Sequence, residues 1–90
     1  MPTKDEREKE YIALGSLVSD FSVAMRAKLF SKYEEGKRGW NDDSDTEVID
    51  MLRRSLAVHI LKYNNGEDPS QLVDIGNYIA MLWNLECRGK

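Results

Sequence analysis

Residues 72–83 read LVDIGNYIAMLW, an apolar run that carries one carboxylate, Asp74, and one amide, Asn77, three positions apart. The run lacks the strict alternation of a half-buried strand and follows clear helix-start chemistry. Asp68 reads as the N-cap, Pro69 as the first helical residue and Gln71 as the residue three positions after the cap. The helix extends to about Leu85 and is apolar on nearly every face, the pattern of a helix surrounded by others. Three helices of this size enclose none of their number, so the expectation is a dimer that packs the third helix into a shared bundle. Within such a helix, an unpaired polar group costs roughly 1–3 kcal/mol, so Asp74 and Asn77 must find partners.

Working outward, Asn64, Asn65 and Gly66 are the stop signals of a preceding helix, whose apolar positions Val48/Ile49, Leu52, Leu56 and Ile60/Tyr63 recur at helical spacing. Ser44 with Glu47 has the capping-box spacing that would open it. Upstream, GKRGWNDDSD at 36–45 loses the apolar period and reads as a loop. A first helical stripe, Leu14, Leu17/Val18, Phe21, Met25, Leu29 and Tyr33, ends at Gly36, with Gly15 marking a break near its start. Thr3 with Glu6 forms another capping-box pair, yet DEREKE is polar enough to fray over residues 1–12. The fold class is therefore all-α: one domain over residues 1–90, an antiparallel bundle of three main helices completed by dimerisation.

Composition narrows the function. Charged residues make up 32% and hydrophobic residues 41% of the 90-residue chain, an ordinary globular balance. No apolar run is long enough for a membrane span, and MPTKDEREKE is no signal peptide, so a cytoplasmic protein without membrane contact is expected. The net charge of −3 gives no field to hold polymeric nucleic acid. Cys87, the single cysteine, reads as an incidental reduced thiol.

His59 falls in register with Leu52, Leu56 and Tyr63, flanked by Ser55 and Lys62. If the Asn64–Asp68 loop folds the third helix back along the second, His59 and Lys62 lie near the level of Asp74 and Asn77. Such a set either holds a polar ligand or satisfies itself and fixes helix register. In the loop, Lys37, Arg38 and Trp40 surround two glycines; the tryptophan either closes the core as a lid or stacks on a base. Glu34, Glu35, Asp42, Asp43 and Asp45 read as solvated or capping charge rather than metal ligands.

In order and spacing, MRAKLFSKYEEGKRGW, a helix bearing HILK, and EDPSQLVDIGNYIAMLW resemble the small phage and prophage proteins of the MazG-like group, part of the all-α nucleotide pyrophosphohydrolase superfamily. The resemblance covers roughly residues 20–84 and rests most on Lys37 to Trp40 and on Asp74, Asn77 and Tyr78. It implies a helical dimer acting on nucleoside triphosphates, with Mg2+ held by Glu-Glu-x-x-Glu on one helix and Glu-x-x-Asp on the next. Asp74 matches the last aspartate, but Gln71 stands where glutamate belongs, and RRSLAVH at 53–59 has no carboxylate.

Three readings follow. In the first, a nucleotide or nucleotide-like ligand is bound with little or no hydrolysis: Asp74 and Asn77 meet its polar edges, His59 and Lys62 contact ribose or phosphate, and Lys37 with Trp40 closes the pocket. In the second, the protein is a Mg2+-dependent nucleoside triphosphate pyrophosphohydrolase whose ligands include Asp74 with Glu34, Glu35, Glu47 or Asp50. In the third, it is a helical interaction module that binds a host protein.

Overall fold

The computed structural model describes residues 1–37, 40 and 46–88, with side chains to Cys87. Every regular element among them is helical. α1 spans Lys4–Glu34, α2 Thr46–Asn64 and α3 Gln71–Trp83, and a π-helical turn follows at Asn84–Arg88. No helix of the described residues is long and apolar enough to cross a membrane.

α1 opens on the capping box its sequence predicts. The Glu6 N–H donates to Thr3 Oγ1 and the Thr3 N–H to Glu6 Oε2, each at 3.2 Å. The helix then runs unbroken for 31 residues. Gly15 does not interrupt it, because a single glycine inside a helix weakens the helix without ending it. The stop comes at Gly36, whose φ of 97° is open to glycine at little cost. Gly66, at φ 84°, ends α2 in the same way. Ser44, expected to cap α2, lies outside the described residues.

The start of α3 is tighter than the sequence suggests. Asp68 Oδ1 accepts from the Ser70 N–H at 2.9 Å, as an N-cap would. The backbone then makes three-residue bonds, Gln71 to Asp68, Leu72 to Pro69 and Val73 to Ser70, before α geometry begins at Gln71. The α-helix itself ends at Trp83, two residues short of the expected Leu85, and the π turn carries the chain onward.

α2 and α3 pack antiparallel. Leu52 near the start of α2 clusters with Leu82 at the far end of α3 and Leu85 of the π turn, while His59 lies beside Tyr78, with ring centroids 5.0 Å apart. Val48, Ile49, Leu56 and Met81 pad this core. α1 meets α3 at Gly76, where an added Cβ would lie 2.6 Å from Phe21 Cζ and 3.3 Å from Met25 Sδ. Glycine there lets α3 approach the side chains of α1 directly.

Candidate functional site

A cleft of about 1010 Å3 opens among the three helices and the start of the α1–α2 loop. That volume lies at the upper end of what small-molecule sites occupy, about 300–1,000 Å3. Its centre is Asp74, in the first turn of α3. Asp74 Oδ1 stands 3.6 Å from Lys28 Nζ of α1, and Oδ2 stands 3.8 Å from His59 Nε2 of α2. One carboxylate thus links all three helices. Both approaches exceed ordinary hydrogen-bond length; the Lys28 ammonium balances the carboxylate's charge while its oxygen lone pairs stay open to a closer donor.

His59 is oriented from its own helix. Its Nδ1 lies 2.8 Å from the Ser55 carbonyl, which can only accept, so Nδ1 carries the proton and Nε2 is turned toward Asp74. Tyr78, one turn along α3, packs at 53° to the imidazole and holds it against the wall.

Asn77 answers the other half of the question that LVDIGNYIAMLW poses. Only 4% exposed, it donates from Nδ2 to the Met25 carbonyl of α1 at 3.2 Å. Its Oδ1 is buried without a partner, as is Gln71 Oε1 one and a half turns earlier. Asn77 therefore serves first as a clamp between α3 and α1 and second as a wall residue of the cleft.

Of the residues singled out in the sequence, Lys37, Trp40, His59, Asp74 and Asn77 all line the cleft. Lys62 does not; it is exposed on the last turn of α2. The lysine that faces Asp74 is Lys28, and Lys32 one turn later lines the same wall with Tyr33. A signal for them was present: Lys28 and Lys32 continue the three- and four-residue spacing of Phe21 and Met25, so two cations occupy an otherwise apolar face. Among the described residues, the lining thus holds Lys28, Lys32 and Lys37 against one carboxylate, a locally cationic cleft in a chain of net charge −3. Lys32 also pairs with Glu35 at 3.9 Å on the exposed rim, a contact that contributes little to stability.

Among the described residues, no three His, Cys, Asp or Glu side chains come together as a metal site. Glu34, Glu35, Glu47 and Asp50 are absent from the lining, and Asp74 is already flanked by two bases. These side chains do not fit the oxygen-rich octahedron that Mg2+ requires. Asp42, Asp43 and Asp45 lie outside the described residues. In comparisons with known proteins, no family model, curated protein or solved structure matches the chain.

Proposed function

We propose that this chain is a MazG-like helical bundle that binds a nucleotide or nucleotide-like anion in the cleft, with little or no hydrolysis. The observation that carries the reading is the meeting of Lys28, Lys32 and Lys37 with the rings of Trp40, Tyr33 and Tyr78 in one cleft. Ammonium groups bind phosphate oxygens through charge-assisted hydrogen bonds, about twice as strong as neutral ones. Aromatic faces stack on a base, worth about 1–3 kcal/mol. Asp74, with lone pairs still open, accepts from a base amine or a ribose hydroxyl, and His59 stands beside it at the same level.

Hydrolysis is left out of the proposal because, among the described residues, the cleft presents a single carboxylate, and a triphosphate pyrophosphohydrolase needs several to hold its metal. The test is equilibrium titration with nucleoside mono-, di- and triphosphates, followed by the fluorescence of Trp40 in a Trp83→Phe background. Saturable quenching that is lost in Lys28→Ala and weakened by salt is expected. Quenching that is absent for every nucleotide, or indifferent to Lys28, would remove the reading.

A further inference from the structure

Lys28, Asp74 and His59 meet in a fixed order. Lys28 Nζ stands on the Oδ1 side of the carboxylate at 3.6 Å, and His59 Nε2 stands on the Oδ2 side at 3.8 Å. An ammonium only donates and a carboxylate only accepts. With Nδ1 committed to the Ser55 carbonyl at 2.8 Å, the neutral imidazole offers at Nε2 a lone pair and no hydrogen. From α1 across α3 to α2, the cleft therefore presents one donor followed by three acceptors.

That row asks its ligand for a particular complement. Asp74 Oδ2 and His59 Nε2 face each other as two lone pairs, and each needs a hydrogen from elsewhere. The two side chains keep only 17% and 20% of their surface in water, so solvent relieves a mismatched ligand poorly. A ligand must bring one acceptor for Lys28 and, beside it, a run of donors for Asp74 and His59.

Guanine is the one common base with this edge. Its O6 accepts, its N1–H donates, and its N2 amine donates again on the far side. Adenine and cytosine each place a ring-nitrogen lone pair next to their amine, and that lone pair would meet the carboxylate. Uracil and thymine flank their one N–H with two oxygens, and the second oxygen would fall among the lone pairs of Oδ2 and Nε2. Mismatches of this kind leave buried polar groups unpaired, which is how a polar site rejects a near-isostere.

We propose, on the reading of the cleft as a nucleotide site, that it selects guanine nucleotides: Asp74 accepts from N1–H and the N2 amine, Lys28 donates to O6, and His59 Nε2 favours the amine over an oxygen. Lys32 and Lys37, which line the cleft further along the chain, are then left to the phosphates. The rings of Trp40, Tyr33 and Tyr78 offer stacking surfaces, which take any base and so add affinity without choosing among them.

The test is isothermal titration of the full chain with guanosine, inosine, adenosine, cytidine and uridine triphosphates, without added metal. Inosine differs from guanosine only in lacking the 2-amino group. Guanosine triphosphate should bind with about tenfold or higher affinity than the inosine analogue, the effect of one hydrogen bond to a charged acceptor, and should also exceed the other three. Asp74→Asn keeps the shape of the side chain but gives up one acceptor. It should retain its helix signal and bind the guanosine and inosine nucleotides alike. Equal affinity of the wild type for guanosine and inosine triphosphates overturns the guanine assignment and leaves the nucleotide reading standing. A guanosine preference that survives in Asp74→Asn overturns it as well. No binding of any of the five overturns both.

Discussion

Asn77 Nδ2 donates to the main-chain carbonyl of Met25 at 3.2 Å, a bond that spans 52 positions of sequence and pins α3 to α1. It lies one turn from Asp74, which faces Lys28 of the same helix pair. Of the two polar residues that look misplaced in LVDIGNYIAMLW, Asn77 therefore pins α3 to α1, and Asp74 faces the cleft between the helices.

Asn77→Asp should be the most damaging single substitution in α3. It puts a carboxylate beside a carbonyl oxygen in a site only 4% exposed, and an uncompensated buried charge costs about 3–5 kcal/mol. Asn77→Ala leaves a lost hydrogen bond and should cost about 1–3 kcal/mol. Urea unfolding followed by circular dichroism checks the order; equal stability of the Asp variant and wild type would contradict the clamp.

Gly76→Ala sets two effects against each other. Alanine favours the helix by about 1 kcal/mol, but its methyl would come within 2.6 Å of Phe21 Cζ. Displacing Phe21 loosens the α1–α3 contact, and overpacking of this kind costs about 1–3 kcal/mol. Net destabilisation is expected, and it should shrink in a Phe21→Leu background, a coupling that a double-mutant cycle measures.

Arg53 and Glu86 form an ion pair between α2 and the π turn, with the arginine largely exposed. Exposed pairs contribute about 0–1 kcal/mol. Arg53→Ala should therefore shift the urea midpoint barely, unlike either α3 substitution. A loss as large as that of Asn77→Ala would show that the π turn matters to the fold more than its burial implies.

Asp74→Ala separates the roles of the cleft. Its contacts with Lys28 and His59, at 3.6 and 3.8 Å, are too long to be strong, so the folded helix content should persist. Nucleotide affinity should fall at least about tenfold, the loss of one charge-assisted hydrogen bond. Titration of the variant checks this. Unchanged affinity would mean that Asp74 serves only to neutralise Lys28.

Much of this architecture is legible in the residues. Asp68 and Gly66 mark helix ends through local chemistry, and local chemistry is what a sequence displays most directly. His59 beside Asp74 follows from register plus a short connection, which needs only the assumption that α3 folds back along α2. Lys28 and Lys32 were harder to find, because a lysine on a helical stripe reads as solvent-facing until the neighbouring helix is placed. Lys62 shows the converse: three residues after His59, it stands exposed on the last turn of α2 and outside the cleft. The unbroken course of α1 through Gly15 was hidden because glycine signals a turn only where φ must be positive, as at Gly36.

The most direct test of the central claim is a thermal-shift series of the purified protein against nucleoside mono-, di- and triphosphates, each with and without Mg2+. A ligand at about 100 times its dissociation constant stabilises the folded state by roughly 2.7 kcal/mol, which for a domain this small is about 10 °C or more. A cleft whose described lining carries three lysines and one carboxylate predicts a shift with at least one nucleotide, of equal size with and without the metal. No shift with any nucleotide would contradict nucleotide binding, and a shift that appears only with Mg2+ would contradict binding by lysines alone.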